Sequence, residues 1–154
     1  MAKLLDRNLE GVMQNDVMGI WRLQSFHMHD VETEQRSEPF GPAPRGTLIL
    51  HPDGRMAAMI APRDRTVAPQ SFVAYSGRYR LEPPDRLVTA VDVSWIEAWV
   101  GTEQVRSYAL EGDRLELSTP AGRMPRQDGG EMTVMGRMVW VREGLAQDAS
   151  SHQI

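Results

Sequence analysis

The chain has 154 residues, no cysteine, 17 Lys and Arg against 21 Asp and Glu, and a formal net charge of −4. That length suits one domain around one core, the missing cysteine excludes disulfides, zinc–thiolate sites and thiol nucleophiles, and charges of both signs interspersed leave no basic footprint for nucleic acid. No apolar run approaches the ~18 residues of a membrane span, and the opening MAKLLDRNLEGVMQND carries charge every few residues where a signal peptide is continuously apolar. A single cytoplasmic domain without nucleic-acid or membrane partners is expected.

Leu4, Leu5, Leu9, Val12 and Met13 recur near a helical repeat, so a short N-terminal helix is predicted as a cap on one end. From Gly19 to Asp30 the chemistry becomes strand-like, and a two-residue period puts Trp21, Leu23, Ser25, His27 and His29 on one face. Residues 31–46 carry charges and Pro39, Pro42 and Pro44 around Phe40 and Gly41. They read as a loop, since proline cannot donate to a ladder. Thr47 to His51 and Arg55 to Ala61 form a hairpin about Pro52-Asp53-Gly54. Phe72 to Leu81 and Arg86 to Trp95 form a second about Pro83-Pro84-Asp85. Glu103 to Leu110 and Arg114 to Thr119 form a third about Glu111-Gly112-Asp113. Residues 120–132 are rich in Gly and Pro and are expected to be mobile, Thr133 to Val141 closes the series, and the polar tail 144–154 is expected to be disordered.

Eight short strands at regular spacing with almost no helix argue a sandwich or an up-and-down barrel, and consecutive hairpins favour the barrel. Its interior is just wide enough to be filled by side chains or to hold one small ligand. No repeat of 20–50 residues supports a propeller or solenoid.

Three segments carry a resemblance: Gly19-Ile20-Trp21-Arg22-Leu23, PFGPAPRGTLILHPDGRM over 39–56, and WVGTEQVRSYALEGDRLEL over 99–117. Over Gly19 to Arg142 the chain resembles the lipocalin-like domain proteins of bacteria and fungi within the calycin group. The resemblance implies an all-β, eight-stranded, mainly antiparallel barrel over about 18–143 with an internal cavity, in a family whose members mostly have no assigned activity. Some relatives sit in biosynthetic gene neighbourhoods, where such barrels bind or rearrange intermediates. It also implies that Trp21 plugs the closed end with Arg142 laid over its ring, a cation–π contact of ~0.5–2 kcal/mol.

Several residues are candidates for chemistry. Arg106 shares strand parity with Tyr108 and Leu110, so an inward Tyr108 brings the guanidinium inward too. A permanently charged group inside a barrel needs a partner, either internal (Asp92, Glu97 or Glu103) or a carboxylate, phosphate or polarised carbonyl on a ligand. Tyr75 and Tyr79 flank Gly77 on one face, a gap that suits a ligand against the backbone or else ordinary strand packing. Trp95 and Trp99 are placed at the mouth, as ligand rim or loop anchors. His27 and His29 could ligate a metal with His51 as third ligand, but two imidazoles on a strand are too few. His27 is the better candidate as a general base. The ten methionines suit an irregular ligand and an irregular core equally, and no serine-hydrolase elbow, phosphate loop or dinucleotide fingerprint is present.

The expected function is therefore binding of a small apolar or amphipathic molecule by Arg106, Tyr75, Tyr79, Trp99, Tyr108 and His27, without metal or cofactor, in a monomer or homodimer. Two alternatives stand beside it. One is an isomerase, cyclase or dehydratase using His27 with Asp92 or Tyr75 with Arg106. The other is a homodimer module with a packed barrel.

Overall fold

The computed structural model describes residues 14–64, 66, 72–125 and 129–144. Its strands are β1 Gly19–Asp30, β2 Arg36–Ser37, β3 Arg45–Leu50, β4 Arg55–Ala61, β5 Val73–Glu82, β6 Arg86–Ser94, β7 Glu103–Glu111, β8 Arg114–Ser118, β9 Gly122–Pro125 and β10 Glu131–Arg142. Pairing runs β1-β3-β4-β5-β6-β7-β8-β10, and β10 pairs back onto β1, so eight antiparallel strands close a barrel. Closure leaves the ring itself no unpaired edge.

The eight expected strands are the eight barrel strands in order. Two short ones were not anticipated: β2 lies in the segment read as a proline loop and pairs with β1 at Met28 and His29, while β9 pairs with the start of β10. The helix expected over Leu4 to Met13 and the tail from 145 lie outside the described residues. A single helical turn, α1 Gln14–Val17, leads into β1.

Turn chemistry sets the ends. Gly54 adopts φ +96° between β3 and β4 and Gly112 adopts φ +60° between β7 and β8, backbone that glycine takes without a Cβ penalty. Ladder registers place the starts of β1 and β8 and the ends of β3, β7 and β10 at one end of the barrel.

That end is closed by Trp21, which is fully buried beneath Arg142, its direct partner across β1 and β10. The guanidinium carbon lies 4.3 Å from the indole centroid, and the indole Nε1 donates to the Val17 carbonyl at 2.9 Å. Gly19, two residues before Trp21, has φ +137°, backbone that favours glycine, and a Cβ there would press on the Arg142 guanidinium at 2.8 Å from Nη1. Val17, Leu50 and Leu115, none of them measurably exposed, complete this layer.

Two irregularities redirect side chains. Leu23 pairs with Trp140 and Ser25 with Val139, so Gln24 is an extra residue in β1, and a bulge of this kind reverses facing beyond it. Trp21 and Leu23 face inward before it and Phe26 after it, while His27 and His29 turn outward. The single face expected for Trp21 through His29 is thus broken at Gln24. In β6, Asp92 is the extra residue between the Ser76–Val93 and Gly77–Val91 pairs.

Candidate functional site

Above the closed end the barrel encloses a cavity of about 250 Å³. Its wall is in part aliphatic and sulfur-bearing, with Leu48, Met56, Leu87, Leu117, Met138 and the Trp140 indole. Phe26, Phe40, Val73, Tyr75, Trp99 and Thr119 line it as well. Phe40 comes from the proline-bearing loop rather than from a strand. It is only 6% exposed, its ring centroid lies 5.1 Å from that of Phe26, and Arg63 Nε fastens the loop by donating to the Ala43 carbonyl at 2.8 Å. Trp99 closes the 3-10 turn Glu97–Trp99 and meets Tyr75 edge-to-face at 5.3 Å between centroids.

Arg106 lines this cavity with Tyr75 and Trp99. Its Nη1 donates to the Val105 carbonyl at 2.9 Å and its Nη2 to Gln104 Oε1 at 3.3 Å, and among the described residues no carboxylate pairs with it. The expected internal partners are engaged or turned elsewhere. Asp92 is exposed and held by Arg55 at 2.7 Å and by Ser76, Glu103 pairs with Arg80 at 2.9 Å, and Glu97 is exposed. Burial pushes the Tyr75 phenol above its ordinary range, and the positive charge of Arg106 works against that rise. Both groups line the same cavity.

The other candidates lie apart. Tyr79 is buried toward the closed end, where its hydroxyl donates to the His51 carbonyl at 3.0 Å. Tyr108 is buried in the same core, its phenol pushed up by burial and further by Asp85 and Asp16. His27 and His29 line a shallow outer groove with Arg36, Ser118 and Arg137, so His27 and Asp92 are not brought together. The space at Gly77 is taken by β6 rather than left for a ligand, since a Cβ there would lie 2.0 Å from the Ala90 carbonyl oxygen. Trp95 is 70% exposed and stacks edge-on with Phe72. Among the described residues no three His, Asp or Glu side chains converge as metal ligands.

A closed eight-stranded barrel with an apolar cup coincides with a family match: the lipocalin-like domain pattern covers residues 18–143. The chain belongs to the lipocalin-like domain family. One stretch of 62 residues is 39% identical to the 4'-hydroxy-3'-methoxypropiophenone carrier protein of Aspergillus oryzae, a match covering 34% of this chain and 54% of that protein. The chain thus spans about half the length of that curated relative.

Sequence reasoning missed several lining residues of this lipocalin-like domain. Phe26 was hidden by the bulge at Gln24, which a strict two-residue period cannot register. Phe40 did leave a signal, a large aromatic in a polar, proline-rich loop where nothing local buries it. Trp140 was legible only as the start of the closing Trp-Val-Arg motif.

Proposed function

We propose that this lipocalin-like domain binds a small, largely apolar molecule in the barrel, with Arg106 as its polar anchor and Tyr75 and Trp99 against it. The observation that carries the reading is Arg106 itself, a guanidinium lining a largely apolar cup without a carboxylate partner among the described residues. A charge taken out of water needs compensation, and guanidinium matches a carboxylate, phenolate or polarised carbonyl oxygen. The cavity lies just under the ~300–1,000 Å³ usual for drug-sized ligands, which favours a molecule of one or two rings. In this reading Tyr79 and Tyr108 support the ligand from the closed end, and His27 stays on the outer wall.

The carrier relative supplies a first ligand to try, 4'-hydroxy-3'-methoxypropiophenone. Native mass spectrometry should show one small molecule retained through purification or one added ketone per chain. Arg106→Leu should weaken ketone binding by about 10–100-fold, the worth of a charge-assisted hydrogen bond of ~1.5–3 kcal/mol. A barrel that takes up neither, or unchanged affinity in Arg106→Leu, would end the proposal.

A further inference from the structure

Trp140 is 1% exposed and lines the cavity, and its indole Nε1 is the buried side-chain polar atom without a hydrogen-bond partner among the described residues. Trp21, by contrast, has its Nε1 satisfied by Val17. Buried donors in native proteins are nearly always paired, and an exception asks for an explanation. Here the surroundings narrow it. Trp140 stands in register with Leu23 and Leu115, and the next inward pair of the same ladder is Met138 with Leu117, both of which line the cavity. An indole nitrogen can only donate. A water there would need two to four polar partners, and a ligand hydroxyl would bring its own proton to a stretch of wall whose side-chain acceptors are the weak thioethers of methionine, Thr119 lying four residues on from Leu115, the partner of Trp140. A carbonyl oxygen takes the indole proton and adds no unmet donor.

Register also fixes where this donor lies relative to Arg106. Trp140 pairs with Leu115, which pairs with Leu110 of β7, placing it four residues beyond Arg106 toward the closed end, about 13 Å along the strand. Both side chains line the one cavity, so a single small ligand has polar groups on offer at two separate heights.

We propose that Trp140 is a second polar anchor, and that the ligand class is an aryl carbonyl compound whose carbonyl oxygen accepts from Trp140 Nε1 while a phenolic or acidic oxygen at its other end meets Arg106. The proposal rests on the binding reading above and specifies the chemistry of the ligand. The aromatic rings of Phe26, Phe40, Tyr75 and Trp99 supply the faces and edges on which an aryl ring packs.

The test compares 4-hydroxypropiophenone with 4-propylphenol, which differ only in the carbonyl group. Calorimetry on the full chain should give the ketone about a tenfold advantage, the value of one hydrogen bond to a buried donor. In protein labelled with ¹⁵N-tryptophan, the Trp140 indole resonance should move with the ketone and stay with the alkylphenol. Trp140→Phe should bring the two affinities within about twofold. If that variant does not fold, the indole resonance is assigned in the wild type through its contacts with Leu23 and Leu115, and the shift alone decides. Equal binding of both compounds with an unmoved Trp140 signal overturns the carbonyl assignment and leaves small-molecule binding standing. Binding of neither overturns both.

Discussion

Trp21 and Arg142 are direct partners across the seam that closes the barrel, with the guanidinium 4.3 Å from the indole centroid. The same guanidinium donates to the backbone carbonyls of Met18 and Asp16, and its Nε reaches Asp113 in the β7–β8 turn. One side chain thus ties the entry to β1, the exit of β10 and a neighbouring turn. Removing it strips the indole face of its cation and two carbonyls of their donor. Arg142→Ala should therefore cost about 2 kcal/mol, or roughly 4–8 °C in Tm for a chain of this size. Thermal melts followed by circular dichroism check it, and an unchanged Tm would show the contact to be ornamental.

The Gly77 position predicts a larger effect. A Cβ there would meet the Ala90 carbonyl oxygen at 2.0 Å and the Ala90 carbonyl carbon at 2.8 Å, and these are backbone atoms of a paired strand that cannot rotate away. Gly77→Ala should destabilise the barrel by about 3 kcal/mol through overpacking. Gly112→Ala makes a useful comparison, because nothing lies within 4 Å of its added Cβ and only φ +60° opposes it. Its cost should be the smaller ~1–2 kcal/mol of left-handed backbone. Denaturant midpoints for the two variants should fall in that order.

The barrel was legible because its determinants are local: alternation, turn residues and the two end motifs each lie within a few residues of one another. The site was legible to the extent that period and facing agree. Arg106 and Tyr75 sit on strands whose alternation is unbroken from the residues used to orient them, and both line the cavity with Trp99. His27 failed to join them because one inserted residue, Gln24, inverts the facing of the rest of β1. Hydrophobic period carries no trace of a bulge whose flanking residues are Leu, Ser and Phe. The unsatisfied Trp140 nitrogen was beyond reach for another reason, since satisfaction depends on partners far away in sequence.

The cavity electrostatics predict an alkaline limit. Burial raises the Tyr75 phenol above its ordinary 10.0, so the folded state holds that proton more tightly than the unfolded chain does. The corresponding stability is fully present below about pH 10 and is lost as pH rises through the higher folded value. Tyr108 is shifted in the same direction. Urea midpoints should hold up to about pH 10 and fall above it. In Arg106→Leu the charge that lowers the Tyr75 value is gone, so the Tyr75 titration, followed by the NMR shifts of its ring carbons, should move further up. A downward move would contradict the placement of the two groups.

Filling the cup separates a binding cavity from a packing defect. Ala58 is 4% exposed, lines the cavity, and stands between Leu48 of β3 and Tyr75 of β5 in the ladder. A leucine there extends its branch into the space a ligand would occupy. New apolar burial should then hold or raise stability by about 1 kcal/mol, because the added atoms enter open volume instead of displacing packed neighbours. Binding of 4-hydroxypropiophenone should fall at least tenfold in the same protein, the exchange of function for stability common when a site is filled. If Ala58→Leu instead loses ~1–3 kcal/mol, as an overpacked core does, the space is not free and the wall must already be in contact. If it gains stability while binding is untouched, the ligand lies somewhere other than between Ala58, Tyr75 and Arg106.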